Sequence, residues 1–293
     1  MESGAQSIGT KRRTAMRNLE GLERFWRSLI CQQKLTAGAE LPGAVIAFWP
    51  DIPSFRLNHV AGIDVGEEDV ELLLSRVTRY ITSREIPTFG FRVSSLTRPP
   101  SFVSMLESRG FETRDEDSVM VYTGKDPGDG TGDALDIREV EEADIDVFSQ
   151  VSVMAYEMPS GWKRGFDKLF LHRLRRGGRH YLAYVGGVPV GTCALLSSMK
   201  TGGIFSVGTL KDHRGRGIAT AMTLRAVRDS IGEGNTLHTL QTERGGYAER
   251  LYNRIGFETD HTVAFLVKTV EEQGRVHQQP GILPRPLESR RLN

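Results

Sequence analysis

The sequence predicts an α/β (α+β) protein of two related domains, each with a mixed central sheet flanked by helices. Three observations support this prediction. A chain of 293 residues has the length of about two domains. Residues 125–133, Lys-Asp-Pro-Gly-Asp-Gly-Thr-Gly-Asp, have the composition of a linker and contain no large apolar residue. A helix pattern followed by Gly-Phe-Glu and a strand pattern ends both halves, at 106–112 and at 252–258, which suggests a duplication.

We therefore divide the chain into a first domain at 1–124, a linker at 125–133, a second domain at 134–270 and a tail at 271–293. The tail is rich in glycine, proline and charged residues and shows no amphipathic period. We expect it to be extended or disordered, because such a segment buries too little apolar surface to order itself.

The second domain alternates helix and strand patterns. Apolar residues recur at helical spacing through Ile145, Phe148 and Val151. Two strand patterns joined by Gly186-Gly187 predict a hairpin. The expected elements are a strand at 135–138, helices at 143–156 and 162–176, strands at 180–185, 188–197 and 204–210, a helix at 219–231, a strand at 236–242, a helix at 247–254 and a strand at 261–267 that closes the sheet.

The first domain repeats this order more weakly. Leu72, Leu73, Val77 and Ile81 lie at helical spacing, and the run from Ala44 to Trp49 is typical of a buried strand. The expected elements are helices at 16–33, 70–81 and 102–109 and strands at 44–49, 57–63, 89–93 and 118–122.

Composition and charge exclude several classes of protein. The formal net charge is +1, so no overall positive field favours nucleic acid. No run of about 18 apolar residues exists, so we expect no membrane span. The polar stretch 1–13 lacks the apolar core of a secretory signal. Cys31 and Cys193 have no His or Cys neighbour at metal-binding spacing, so we expect no metal and a reducing, cytoplasmic location.

The segment Arg214-Gly215-Arg216-Gly217-Ile218-Ala219 follows a predicted strand and opens a predicted helix. The first N–H groups of a helix lack internal partners and carry the positive end of the helix dipole. Glycines let a phosphate approach the backbone closely. The segment therefore predicts a pyrophosphate-binding turn.

Two classes of ligand remain open for this turn. A dinucleotide-binding turn has the pattern G-x-G-x-x-G and follows the first strand of its domain. Here the third glycine is replaced by Thr220, and the turn follows the fourth strand of its domain. Glu243 ends the next strand and could bind a ribose, so a Rossmann-type oxidoreductase stays as an alternative.

A second pattern of residues favours coenzyme A. Arg214, Gly217 and Ala219 match the Arg/Gln-x-x-Gly-x-Gly/Ala motif of the GNAT superfamily of acyl-CoA N-acyltransferases, and Leu251-Tyr252 with Gly256-Phe257 match its second motif. Residues 134–270 resemble this superfamily in motifs and element order, whereas the first half resembles it only in outline. The resemblance implies transfer of an acetyl or other short acyl group from acyl-CoA, with acetyl-CoA as cosubstrate, to a primary amine. We expect direct attack, because no Cys or Ser is placed with a base that would make it a nucleophile.

The resemblance also implies roles for individual residues. Tyr252 would protonate the leaving thiolate as a general acid; as a plain core aromatic it would have no such role. Arg214 and Arg216 could add positive charge to the turn. The residues whose backbone would bind coenzyme A are, for the pantetheine arm, Val207, Gly208 and Thr209 and, for the pyrophosphate, Gly215, Arg216, Gly217, Ile218, Ala219 and Thr220.

The chain departs from the family pattern in ways that leave the base and the activity open. Gly245 stands where many members carry an asparagine, and strand 204–210 has no carboxylate. Glu157 is the candidate base, with a solvated loop glutamate as the plain alternative, and His238 is a weaker candidate. A non-enzymatic acyl-CoA sensor is therefore the leading alternative function.

Two further segments help to predict which ligands the chain binds. One lies in the first half, and the other is the arginine-rich end of a predicted helix in the second half. The first half offers Ser94 to Pro100 where a binding turn would lie, and this segment has two prolines and no glycine, so we expect no coenzyme A site there. Four arginines lie at and just after the end of the helix at 162–176, where they suit a helix C-terminus or an acidic or adenine-phosphate ligand; these are Arg173, Arg175, Arg176 and Arg179. The expected partner is an amine-bearing small molecule or peptide, without nucleic acid or membrane, and a homodimer is left open.

Overall fold

The computed structural model describes residues 18–86, 88–124 and 135–268. The predicted linker at 125–133 and the predicted tail at 271–293 lie outside these residues. Seven helices are described: α1 at 18–31, α2 Val70–Ser83, α3 Phe102–Glu107, α4 Ile145–Ala155, α5 Lys163–Arg175, α6 Ile218–Gly232 and α7 Tyr247–Arg254. Eleven strands are described: β1 Ala37–Leu41, β2 Ala44–Phe48, β3 His59–Ala61, β4 Gly90–Val93, β5 Phe111–Tyr122, β6 Asp136–Glu139, β7 Arg179–Val185, β8 Val188–Ser198, β9 Thr201–Thr209, β10 Leu237–Glu243 and β11 Phe257–Lys268.

The α/β class and nearly every expected element are confirmed. The prediction missed β1, whose sequence Ala-Gly-Ala-Glu-Leu has little of the β-branched and aromatic character of strands. It also made β5 and β11 too short, because their first residues are mostly polar and exposed.

All described strands form one sheet in the order β1-β2-β3-β4-β11-β5-β10-β9-β8-β7-β6. The prediction that the last strand closes the sheet of the second half was wrong, because β11 lies between β4 and β5 of the first half. In turn β5 pairs with β10 of the second half. Each half therefore places its last strand inside the sheet of the other half.

The sheet is symmetric about the β5–β11 pair. The strand pairs β3–β4 and β9–β10 are parallel, occupy equivalent places, and are connected through α2 and α6. The two Gly-Phe-Glu segments begin the two central strands, and both glycines, Gly110 (φ 80°) and Gly256 (φ 102°), adopt left-handed backbone conformations that favour glycine. The antiparallel register runs from Phe257 opposite Tyr122 to Lys268 opposite Phe111. This symmetry supports a duplication.

The exchanged strands also contribute side chains to the hydrophobic core of the other half. Leu266 of β11 is fully buried in the core of the first half, and Met120 of β5 is fully buried in the core of the second. Other cores are shared as well: Ile52 and Leu57 pack with α4 and α5, and Leu196 packs against α1. The halves thus bury apolar surface jointly, which couples their stability.

A buried ion cluster joins α1 to the central strands. Arg92 of β4 is 2% exposed, and its Nη1 lies 2.9 Å from Oε2 of Glu23. His261 of β11 lies 3.4 Å from the other oxygen of Glu23 and 2.9 Å from Asp260. Burial opposes ionisation of Glu23, but the charge of Arg92 and the hydrogen bonds with His261 and Arg92 together outweigh it and hold the pKa of Glu23 at about 2. Burial also opposes protonation of His261, but Asp260 and Glu23 raise its pKa above 6.5.

We expect this cluster to make stability depend on pH. Because the pKa of His261 is higher in the folded chain, its contribution is fully present below 6.5 and is lost as pH rises through the folded pKa. Burial lowers the pKa of His59 and His180 to about 3, so their contributions to stability change with pH in the opposite sense. The measurement is therefore the stability difference between the parent and His261→Gln in thermal unfolding, which should decline from about pH 5 to pH 9. Parallel stability curves for the two proteins would contradict the assignment.

Candidate active site

The predicted anion-binding turn joins the end of β9 to α6. Gly215 (φ 77°) and Gly217 (φ 76°) both have left-handed backbone, and a Cβ built at either position meets nothing within 4 Å. Ile218 is 3% exposed and anchors the start of α6. The first intrahelical bond runs from Ala221 N–H to Gly217 O, at 2.9 Å. The N–H groups of Gly215 to Thr220 have no acceptor in the part of the chain that the structure describes, and no side chain caps α6.

This geometry fits a pyrophosphate. Successive unpaired N–H groups at the start of a 15-residue helix can donate to phosphate oxygens, and the helix dipole favours negative charge at the same end. Both glycines leave open space in front of the backbone. The residues that the sequence predicts for this role therefore lie together.

The side chain of Arg214 turns inward from the turn. Its Nη2 donates to Ala155 O at the end of α4 (2.7 Å) and lies 3.2 Å from Oε1 of Glu157. Its Nε donates to Thr209 O at 3.2 Å. Arg214 thus ties α4 and β9 to the turn. Arg216 is exposed and donates to Asp212 O at 3.2 Å, so its charge remains near the turn.

The strands β9 and β10 separate next to this turn. Their parallel pairing ends at Ile204 opposite Leu240. On its other side β9 follows β8 with a bulge, where Ser206 has a φ of 53° and the register shifts between Thr192 and Ala194. Oγ1 of Thr192 donates to Ser206 O at 2.9 Å. The far end of β9 therefore has an open edge that could pair with an extended ligand, as the resemblance implies for Val207 to Thr209.

Two tyrosines flank the separated strands. The hydroxyl of Tyr156, after α4, donates to Val207 O at 2.8 Å. Tyr252 of α7 is 7% exposed, and its ring packs edge-on against Phe257 at a centroid distance of 5.9 Å. Its hydroxyl has no hydrogen-bond partner among the described residues. Burial raises the pKa of both phenols, so both stay protonated near neutral pH. Sequence reasoning missed Tyr156 and the Ser206 bulge, because neither carries a local sequence signal.

A cavity of about 220 Å³ adjoins both tyrosines and lies between the two halves. The first half supplies one wall through Arg56, His59 and Arg92, and the second half supplies Ser206, Val207, Tyr156 and Tyr252 on the opposite side. Asp117 of β5 is also at this wall, where it binds Arg56 (2.5 and 2.9 Å) and Gln241 (2.6 Å). The exchanged strand therefore delivers a carboxylate of the first half to the site.

His238 and Gly245 stabilise the local structure around the site. His238 shares a 2.8 Å hydrogen bond with Ser230 of α6, and burial lowers its pKa. Gly245 (φ 72°) lies just before α7, with its N–H donated to Glu249 (2.5 Å) and its carbonyl accepting from Arg250 (2.7 Å). The loop after β10 therefore favours glycine at the place where the family often has asparagine.

The equivalent loop of the first half has no such row of free N–H groups. Leu96 donates to Oγ of Ser94, Thr97 to Ser94 O, and Arg98 to Ile63 O. Pro99 and Pro100 have no N–H to offer. The two halves share their strand order but differ in this loop.

Comparison with known proteins agrees with the geometry of the second half. Residues 147–257 match the model of the acetyltransferase (GNAT) family, so this part of the chain is a GNAT domain. A GCN5-related N-acetyltransferase from Kribbella flavida is similar over 88% of this chain and 95% of its own, with a TM-score of 0.60 and 19% identity. A tandem GNAT protein from the clavulanic acid biosynthesis pathway is similar over 78% and 79%, with a TM-score of 0.56 and 13% identity.

A third structure, a GCN5-related N-acetyltransferase from Sphaerobacter thermophilus, has a TM-score of 0.56 at 21% identity and covers 72% of this chain and 71% of its own. Among curated proteins no sequence matches this chain. These likenesses establish the tandem GNAT fold. A Rossmann-type domain does not fit, because most neighbouring strands are antiparallel.

No helix in 18–86, 88–124 or 135–268 is long and apolar enough to cross a membrane. Within the same ranges no group of three or more His, Cys, Asp or Glu side chains could hold a metal ion.

Proposed function

We propose that the chain is an N-acyltransferase that moves an acetyl or another short acyl group from acyl-CoA to a primary amine on a small molecule or peptide. The observation that carries the proposal is the row of free N–H groups from Gly215 to Thr220 beside the open edge of β9, with Tyr252 in the adjoining cavity. Pyrophosphate would bind the turn, and the pantetheine arm would pair with β9 between the separated strands. The thioester would then lie near Tyr252.

The amine would attack the thioester carbon directly. Backbone N–H groups on the free edge of β9 would stabilise the oxyanion, and the Tyr252 hydroxyl would donate its proton to the departing thiolate. The nearby Cys193 does not suit a covalent route, because it is buried and burial raises the pKa of its thiol. Direct attack is therefore the better supported route.

Glu157 stays the sequence-based candidate for the base. Its position supports the role only weakly, because its carboxylate is paired with the Arg214 guanidinium, 3.2 Å away. An amine that arrives neutral from solvent would need no protein base. The pH–rate profile of Glu157→Gln tests whether Glu157 is the base. If Glu157 is the base, the variant should lose the fall in rate at low pH; if it is not, that fall should remain.

The proposal is tested by ligand binding and then by turnover. Acetyl-CoA and coenzyme A should raise the Tm, whereas NAD should leave it unchanged. Release of free thiol from acetyl-CoA across a panel of primary amines then separates an enzyme from a non-enzymatic acyl-CoA sensor. A Tm that responds to NAD alone would overturn the coenzyme A assignment, and binding without thiol release from any amine would favour the sensor.

A matched pair of variants at Gly217 tests the anion site. Both Asp and Asn tolerate the left-handed backbone and can cap a helix, but only Asp adds a negative charge. We expect Gly217→Asp to weaken coenzyme A binding by at least about tenfold relative to Gly217→Asn, because the added carboxylate repels the pyrophosphate. Calorimetric titration measures the difference. Equal affinities for the two variants would place the pyrophosphate elsewhere.

A further inference from the structure

The four arginines near the end of α5 separate into two groups in the structure. Arg175 pairs with Glu142 (2.8 Å), and Arg179 pairs with Glu139 (2.6 Å). Arg176 is exposed and donates to Gln32 O at 3.3 Å. Arg173 alone of the four is buried, at 4% exposure, and lines the cavity between the halves. The first three are surface charges, whereas Arg173 belongs to the site.

Arg173 has no acidic partner in the described part of the chain. Its Nε donates to Leu35 O of the first half at 2.7 Å, and its guanidinium carbon lies 5.8 Å from the ring centre of Phe170. Neither terminal nitrogen has a hydrogen-bond partner among the described residues. Burial of this unpaired cation lowers its pKa to about 10, and only the Tyr156 phenol opposes the shift.

The other cations of the cavity are already neutralised. Arg56 is paired with Asp115 (2.9 Å) and Asp117 (2.5 Å), and Arg92 is paired with Glu23 (2.9 Å). A buried charge without a counter-ion is destabilising, so a folded chain keeps one at a cost in stability. Among the residues that the structure describes, Arg173 is therefore the unmatched charge of this cavity.

Arg173 is also close to the proposed reaction centre. The Tyr156 phenol is near enough to interact electrostatically with both Arg173 and Tyr252, and its hydroxyl binds Val207 O on β9. A group bound to Arg173 would thus lie one side chain away from the proposed thioester position. The planar end of a guanidinium, with two free nitrogens, fits a carboxylate in a bidentate pair.

We propose that Arg173 binds a carboxylate of the substrate in this cavity, either on the amine acceptor or on the transferred acyl group. This inference deepens the proposed function and rests on it for the identity of the reacting groups. It predicts that an amino acid is a better acceptor than its amide, or that a dicarboxylic acyl-CoA is a better donor than its monocarboxylic counterpart.

The experiment compares the parent protein with Arg173→Gln, Arg173→Lys and, as the control, Arg176→Gln. The acceptor arm compares β-alanine with β-alaninamide in the presence of coenzyme A, and the donor arm compares succinyl-CoA with butyryl-CoA. Affinities come from calorimetry, which needs no turnover, and kcat/KM is added where thiol is released. The Tm rise with coenzyme A, measured separately, reports on the pyrophosphate site.

We expect the parent and Arg176→Gln to prefer the carboxylate ligand in one arm by at least about tenfold, and Arg173→Gln to lose that preference. Arg173→Gln should be at least as stable as the parent, because it removes an unmatched buried charge. If it does not fold, Arg173→Lys keeps the charge without the planar fork and should show a reduced preference.

The proposal is overturned if the parent does not distinguish carboxylate from neutral ligand in either arm, or if both Arg173 variants keep the parent's preference. The failure of the two proposals can be distinguished. A normal coenzyme A response without carboxylate selectivity removes only the role of Arg173, whereas absence of the coenzyme A response removes the proposed acyl-CoA site.

Discussion

Replacing Tyr252 with phenylalanine should lower kcat by about 10²- to 10⁴-fold, the range expected for loss of a general acid. The substitution keeps the ring that packs against Phe257, and it removes a hydroxyl that has no hydrogen-bond partner among the described residues. We therefore expect only a small change in Tm and a larger effect on kcat than on KM for acyl-CoA. Steady-state thiol release with a good acceptor measures both constants.

A tyrosine on the same helix provides the control. Tyr247 begins α7, is 55% exposed and does not line the cavity, so Tyr247→Phe should behave like the parent. The pH dependence gives a second check: burial raises the pKa of Tyr252 above its ordinary value of 10.0, so loss of the acid form should not reduce kcat below that pH. Thiol release by Tyr252→Phe at the parent rate would remove its proposed role.

The first half of the chain, expressed as residues 1–124, should not give a cooperatively folded monomer. Its strand β4 pairs with β11, and its strand β5 pairs with β11 and β10, so the shortened chain leaves β4 with β3 on one side only and leaves β5 without a neighbour. It also lacks Leu266, which is fully buried in the core of the first half. Loss of strand pairing and core burial together removes much of what stabilises this half.

Circular dichroism and hydrogen exchange test this expectation by comparing residues 1–124 alone with the same residues co-expressed with the rest of the chain. Co-expression of residues 1–124 with residues 125–293 as separate chains should restore the fold, because the break lies at the predicted linker and both exchanged strands are then present. A single cooperative thermal transition of residues 1–124 alone would contradict the importance of the exchange.

The conformation of the turn before α6 could be predicted from local sequence chemistry, and anion binding there stays a prediction. The left-handed conformations of Gly215 and Gly217 and the helix that follows depend on residues within a few positions of each other. The same holds for the tyrosine-bearing helix, whose predicted bounds agree with Tyr247–Arg254. The free N–H groups of the turn follow from these local features, so the candidate binding site could be located without a fold.

Strand pairing could not be predicted in the same way. The sequence marks 106–112 and 252–258 as equivalent, but pairing between strands far apart in the chain depends on contacts that no local pattern encodes. For this reason β11 was expected to close its own sheet, although it pairs with β4 and β5. The Asp117 carboxylate at the site is a direct consequence of that exchange.

The four arginines at and just after the end of α5 show the same difference between what sequence predicts and what packing decides. Arg173, Arg175, Arg176 and Arg179 look alike as a cluster of like charge, and helix period alone does not say which of them has a counter-ion. Packing of α5 against the first half buries Arg173 beside Leu35 and exposes Arg176. The sequence alone defines the turn that can hold a pyrophosphate, because the geometry of that turn is local. Which residues form the wall of the cavity that can recognise a substrate is known only from the tertiary structure. Burial and charge pairing at that wall depend on residues of both halves that lie far apart in sequence.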